Sequence, residues 1–436
     1  MRTALFVTGC ALLSAGVGCK WTDFDDLEKD TWVSATDKPN GDSTDYGVAI
    51  QRGQRGSNGG KLVVIGAGQA QYTELVYSAN GDVDLAPTAQ KLNSQFGIGN
   101  LDQQPILIPD PTSTSDEVSL VVNAGGQTIA VLTGTGGLIA HQTFGAEQPD
   151  AATYMVPPPR VDLPANPTPA QVLIGSTDTL IGAFVMNYPA ANPVKCQVVD
   201  EAASVVTIRG LGATRLTSTT FDDVVLWGTV GGNAGKLLLY PGSVFNGNPP
   251  VGTCVGSMQQ PLAGSTSATT PFVPAKGSQI VMVDATHFLA IGHKDLGNAD
   301  SFLGFYTIDP GTKTITATGV PVLIPDLRTA AVLTVGAKKY VIAGYPTAII
   351  ENVKAGRVLI FPLDMTAGID ATPAAQLYDS QPEDNQQFGR AVAAMPFNGA
   401  EIVAVAADNE IFAYFELGPS TSNPPMGSIY GDKRAR

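Results

Sequence analysis

An all-β fold built from repeated antiparallel meanders is what this sequence predicts, and three observations carry the expectation. The stretch Gln387 to Leu417 holds three short apolar runs, Arg390 to Ala394, Glu401 to Ala406 and Ile411 to Leu417. They are separated by Phe397-Asn398-Gly399 and Asp408-Asn409, the pattern of a three-stranded meander. Weaker copies recur upstream, and a meander this small cannot bury both of its faces alone, so repetition implies a stack or a ring. Finally, charged residues are only 15 % of the chain while Gly and Pro number 48 and 31, which suits short strands joined by tight turns. Beyond the first twenty residues no dozen-residue window keeps an apolar period of 3.6, so long helices are not expected.

The chain opens on a targeting segment, set apart from the fold. Met1-Arg2 is a minimal charged region, and Ala4 to Leu13 is apolar but too short to span a bilayer. Ser14-Ala15-Gly16-Val17-Gly18 then ends in small residues before Cys19. This resembles a bacterial lipoprotein signal, with Gly16 where that family usually has Leu. The resemblance implies that residues 1–18 are removed and that Cys19 becomes the lipidated N-terminus. Lys20 rather than Asp after it implies the outer membrane. A plain secretory signal and an uncleaved anchor are the alternatives. Residues 19–29, with Asp23, Asp25, Asp26 and Glu28, read as an acidic tether.

Next comes a strand-like segment without a nearby hairpin partner, Thr31 to Ala35. The repeats begin at Asp45-Tyr46-Gly47-Val48-Ala49-Ile50, followed by Lys61 to Ala67 and Thr73 to Tyr77. A second unit opens at Phe96-Gly97-Ile98-Gly99, with strands at Val118 to Val122, Thr128 to Leu132 and Leu138 to Phe144. The third has strands at Val172 to Gly175 and Leu180 to Met186, its opening lying within the Pro-rich Pro157 to Pro169. The fourth comprises Gly210 to Thr214, Phe221 to Gly228 and Gly235 to Tyr240. A fifth holds Gln279 to Val283, His287 to Gly292 and Phe302 to Ile308, and a sixth Thr329 to Val335, Lys339 to Gly344 and Gly356 to Phe361. The seventh is the opening stretch.

The order of an aromatic-Gly entry, an apolar run ending in Gly-Ala and a Gly-x-Val-Tyr-like run resembles the FG-GAP repeat family of integrin α-subunit heads and bacterial surface proteins. Unit seven carries it best, in Phe388-Gly389-Arg390-Ala391-Val392-Ala393, and units one, four and six match in part. The resemblance implies a seven-bladed β-propeller, and the count of units agrees independently. A blade has four strands and the last unit supplies three, so Thr31 to Ala35 is expected to close the ring as its outer edge. The propeller then covers residues 30–418, and residues 419–436, which begin Pro419-Ser420-Thr421-Ser422-Asn423-Pro424-Pro425, read as a disordered tail.

Residues that carry chemistry in other proteins are sparse. In an exported chain the two mature thiols, Cys196 and Cys254, are expected as a disulfide across neighbouring repeats, with two separate buried thiols as the alternative. Many FG-GAP units hold calcium in an aspartate-rich loop, and the best match here, Arg215 to Asp223, keeps only Asp223 at a ligand position. The acidic turn Gly81-Asp82-Val83-Asp84 reads as solvated carboxylates. His141, His287 and His293 lie in different places with no Gly-x-Ser-x-Gly or His-Glu-x-x-His pattern beside them. Glu383-Asp384 sits in a polar turn, and Gly231 to Gly235 reads as a hairpin loop because no helix follows to bind a phosphate. Tyr77, Tyr240, Phe361 and Tyr414 recur at one place in their repeats, as packing between blades would require.

The balance of 25 basic against 39 acidic residues gives a net charge of −14, which makes nucleic acid an improbable partner. No cofactor or metal is expected. The predicted function is that of a non-catalytic, monomeric envelope lipoprotein whose loops bind a protein or glycan; the apolar loop Tyr345 to Ile350 is one candidate contact. A propeller enzyme of the lyase or glycosidase class, and an envelope-assembly factor, are the alternatives.

Overall fold

The computed structural model describes residues 301–379, 381–397 and 400–415 and, elsewhere, the strands named below with residues 38, 77, 215–216, 272, 274, 278 and 283–286. Residues 1–31, with Cys19, lie outside the described residues, as do Phe96 to Gly99, the Pro157 to Pro169 segment and Cys254.

Every described regular element is a strand, and the strands form seven sheets of four or more members among the described residues, each a local meander. Sheet I comprises Tyr46–Gln54, Gly60–Gly66, Gln71–Val76 and Gln90–Lys91. Sheet II comprises Ile106–Pro109, Glu117–Val122, Thr128–Leu132 and Leu138–Thr143. Sheet III runs through Pro149–Met155, Ala170–Ser176, Ala183–Tyr188 and Cys196–Val199, and sheet IV through Val205–Thr214, Asp223–Val230, Ala234–Tyr240 and Thr266–Thr270. Sheet V comprises Gln279–Met282, His287–Gly292, Phe302–Ile308 and a split outer strand, Ile315–Ala317 with Val322–Leu323. Sheet VI comprises Ala330–Val335, Lys338–Tyr345, Arg357–Asp364 and Ala375–Asp379. Sheet VII comprises Ala391–Phe397, Ala400–Ala406 and Glu410–Phe415.

The segment Trp32–Asp37 pairs antiparallel with the last strand of sheet VII, Trp32 opposite Phe415 and Asp37 opposite Glu410. The most N-terminal described strand and the end of the last meander therefore share one ladder.

Two features differ from the sequence expectation. The third sheet opens at Pro149–Met155, upstream of the Pro-rich segment. Within the tail expected to be disordered, Gly427–Gly431 pairs in parallel with Ala375–Asp379 of sheet VI. Sheet III gains a parallel strand in the same way, Gln259–Pro261 beside Cys196–Val199. Added outer strands of this kind cover rows of backbone donors and acceptors that would otherwise be open edges.

Because successive side chains of a strand point to opposite faces, a sheet packed on both sides needs apolar residues at every position. Sheet VII shows it. Ala391, Ala393, Met395, Ile402, Ala404, Ala406, Ile411 and Ala413 pack with Tyr46, Ile50, Leu62, Val64, Leu75 and Tyr77 of sheet I. The alternate set, Val392, Ala394, Val403, Val405, Phe412 and Tyr414, packs with Ile342, Val358, Ile360 and Leu377 of sheet VI. Equivalent layers lie between sheets V and VI and between IV and V, the latter around Trp227, Phe288 and Phe302. The opening strand of each sheet also neighbours the opening strand of the next, from I through VII and back to I.

The aromatic-Gly entries set how closely the sheets approach. Phe388 and Tyr46 are fully buried in these layers, and the glycines that follow adopt positive φ, +89° at Gly389 and +81° at Gly47. A Cβ on Gly389 would lie 2.7 Å from the Arg357 carbonyl oxygen of sheet VI, so only glycine allows both the turn and the contact. Gly336 has φ +59° but open space around it. Gly389→Ala is therefore expected to cost more stability than Gly336→Ala, roughly 2–3 against about 1 kcal/mol, in equilibrium urea unfolding. Equal costs would show that the close approach is not what Gly389 provides.

Candidate partner-binding face

The meanders place their turns at two ends. Turns between first and second strands, such as Asp284-Ala285-Thr286 and Gly336-Ala337, share an end with turns between third and fourth strands, such as 309–314. This end is the hairpin face. The other end, the crossover face, carries turns between second and third strands, such as 346–356, and the connections from one sheet to the next, such as 381–390.

At the hairpin face side chains tie neighbouring sheets together. Thr214 Oγ1 of sheet IV donates to the Ala285 carbonyl of sheet V at 2.6 Å, and the Thr334 N–H of sheet VI donates to Glu401 Oε2 of sheet VII at 2.5 Å. Beside Ala285, Asp284 Oδ1 accepts from the Thr286 and His287 N–H groups at 2.8 and 2.9 Å. His287 Nδ1 lies 2.9 and 3.0 Å from the two Asp284 oxygens, so it is the donor, and its ring stacks on Phe305 at 5.5 Å. Burial alone would raise the Asp284 carboxyl. Hydrogen bonds from Thr286 and His287, with the charge of His287, outweigh it and hold the group below its usual value.

The other candidate residues disperse. Asp223 is fully buried and accepts from the Leu216 N–H at 2.8 Å, the work of a turn-closing carboxylate. Among the described residues no group of three His, Cys, Asp or Glu side chains converges as a metal would require. His141 lies in the strand Leu138–Thr143 of sheet II, and Cys196 opens the fourth strand of sheet III. His293, Gly81 to Asp84 and Cys254 lie outside the described residues. Val230 pairs with Ala234, which makes the glycine cluster a hairpin connection. Tyr77, Phe361 and Tyr414 are buried in the layers between sheets, while the Tyr240 side chain is outside the described set.

The crossover face gathers the loops that stand clear of the sheets. In the 346–356 loop, Ile349-Ile350 and Val353-Lys354 make a small hairpin turned by Glu351 and Asn352, both at positive φ. Of the apolar loop Tyr345 to Ile350, Ala348 and Ile350 are buried, Ile350 against Ala355 and Tyr378, and only Ile349 projects, 70 % exposed. This loop locks to the next connection through Asn385 N–H to the Lys354 carbonyl at 2.9 Å and Phe388 N–H to the Ala355 carbonyl at 2.7 Å. The connection is held from beneath by Asp379, buried, which accepts from Gln386 Nε2 at 2.5 Å and the Gln381 N–H at 3.1 Å. Burial first, and then the Asp379 charge, push the Tyr414 phenol well above its ordinary range.

Nothing local in the sequence distinguishes Asp379 from other turn aspartates, and its role depends on an amide seven residues on. The result is a firm loop pair presenting Ile349, Glu351, Lys354, Glu383 and Asp384 to solvent.

No protein-family profile matches this chain, and no curated protein matches it in sequence. Solved structures do match in fold. The polycomb repressive complex 2 of Chaetomium thermophilum aligns with a TM-score of 0.51 at 9 % identity, over 89 % of this chain and 98 % of that one. A second structure of that complex gives 0.52 at 10 % identity, over 88 % and 97 %. The Dos1 propeller gives 0.48 at 10 % identity, over 92 % and 97 %. At such identity the likeness concerns the fold alone.

Because the folded-state pKa of Asp284 is depressed, its contribution to stability is present above the ordinary carboxylate pKa and is lost as pH falls through the folded value. Asp284→Asn should therefore flatten the stability profile below about pH 4 in acid-unfolding titrations. An unchanged acid limb would show that the Asp284–His287 turn contributes nothing there.

Proposed function

We propose that the seven sheets are the blades of a seven-bladed β-propeller closed by Trp32–Asp37, and that the protein is an exported, non-catalytic lipoprotein. Cys19 tethers it to the outer membrane, and its crossover face binds a protein partner as a scaffold or adhesion module. The observation that carries the reading is the closed cycle of neighbouring opening strands, with the last sheet packed on both the sixth and the first. A ring of this kind fixes loops on a rigid frame, the usual arrangement for recognition.

The FG-GAP resemblance is supported by what Phe388-Gly389 and Tyr46-Gly47 do: the aromatic fills the layer between two blades and the glycine permits their close approach. The neighbours with TM-scores of 0.51 and 0.52 are structures of a protein complex, which supports a protein partner over a glycan. The chain acts as a monomer in this reading, since ring closure leaves no blade interface for a second copy to complete.

Membrane fractionation and in-situ cross-linking test the proposal together. Cys19→Ser should move the protein from the membrane to the soluble fraction. In the lipidated protein, Ile349→Asp with Lys354→Glu should abolish a cross-linked protein adduct that Lys338→Glu, on the hairpin face, leaves intact. A Cys19→Ser protein that stays in the membrane would contradict the anchor. An adduct insensitive to the crossover-face pair, or one released by glycosidase treatment, would contradict the protein-binding reading.

A further inference from the structure

Chain direction at the closing ladder fixes more than closure. The strand Trp32–Asp37 begins opposite Phe415 and ends opposite Glu410. Phe415 ends the third strand of sheet VII, at the same end as the Phe397–Ala400 hairpin, whereas Glu410 lies by the turn after Ala406. The chain therefore enters the ladder at the hairpin face, on the rim of sheet VII, and leaves it at the crossover face. The same ends of neighbouring sheets coincide: Glu401 reaches Thr334 at the hairpin side, and Gly389 and Gly47 meet sheets VI and VII at the crossover side.

Resting on the lipid-anchor reading, we infer that the ring lies with its hairpin face toward the bilayer and presents the crossover face, with Ile349, Glu351, Lys354, Glu383 and Asp384, to the aqueous side. Only the span Cys19 to Thr31 separates the lipid from the ladder. A chain of that length has a relaxed reach of about 20 Å and a fully extended one of about 45 Å. A six-residue strand is itself about 20 Å long. To turn the crossover face to the membrane, the tether would have to climb the whole height of sheet VII from its hairpin end before reaching lipid. That takes up the relaxed reach entirely and confines the rest. With the hairpin face down the tether drops directly from Trp32 to the bilayer and keeps its freedom.

The partner consequently approaches from the aqueous side and meets loops, not hairpin turns. The turns that face the lipid carry Ala337-Lys338 of sheet VI and Asp284 to Thr286 of sheet V, exposed or half-exposed. This orientation follows from where one strand starts and is independent of which partner binds.

The test uses the full lipidated chain in vesicles of phosphatidylethanolamine and phosphatidylglycerol carrying a nitroxide on the headgroup. Ala337→Cys and Glu383→Cys are each labelled with a short fluorophore, the unsubstituted chain serving as the labelling blank. Vesicle flotation, with Cys19→Ser as control, reports the anchor separately from the orientation. The expected result is flotation, with headgroup quenching at position 337 at least twofold that at position 383. A chain that floats with equal quenching, or with stronger quenching at 383, overturns the orientation while leaving the anchor standing. A chain that does not float overturns both. Circular dichroism of each variant verifies the fold, and Gly336→Cys or Asp384→Cys replaces either position that disturbs it.

Discussion

Sheet VII is packed with apolar side chains on both of its faces, and that single constraint governs the described packing. In its opening strand Ala391, Ala393, Met395 and Phe397 go to sheet I, and Val392 and Ala394 to sheet VI. A sheet with two buried faces needs two neighbours, and each neighbour needs another. An open stack would always end in an exposed apolar face. The packing of sheet VII on sheet I removes that end, and it does so with small residues, Ala404, Ala406 and Ala413, against large ones, Tyr46, Leu62 and Tyr77. Interlocking of this kind brings backbones close, which is why glycine stands at Gly47 and Gly389, where any side chain would strike the neighbouring sheet.

Loops follow from the same geometry. Around sheet VII the strand faces are committed to packing, and much of the polar chemistry among the described residues lies in turns that use it locally. Asp284, Asp309 and Asp364 close their own turns by accepting backbone N–H groups two and three residues ahead. Asp379 and Gln386 do similar work out of water, where an unpaired carboxylate would cost far more than a solvated one. The 346–356 and 381–390 loops are the clearest described instance of loops held from beneath.

Much of the fold was legible in the sequence because the period of two and the Gly-rich turns are local signals. Strands such as Ile342 to Gly344, Leu237 to Leu239 and Val403 to Ala406 are apolar runs bounded by turn residues, and they appear where the pattern places them. Pro149–Met155 escaped because Pro149, Asp150 and three small residues hide an opening strand, and the Pro-rich segment after it drew the boundary instead. Gly427–Gly431 escaped because a five-residue strand with glycine at both ends carries no local signal, and its partner lies some fifty residues upstream. Asp223 illustrates the limit for sites. Sequence shows a carboxylate at a ligand position, but only packing shows it buried and engaged by Leu216.

The ladder between Trp32–Asp37 and Glu410–Phe415 concentrates the account, since it joins the most N-terminal described strand to the third strand of sheet VII. Thermal unfolding of the mature chain with and without residues 32–37 measures it most directly. If that strand seals the ring, its deletion exposes the row of backbone groups along Glu410–Phe415 and lowers Tm by about 5 °C, the consequence of losing about 3–5 kcal/mol in a domain of this size. A Tm that does not move would contradict closure by this strand.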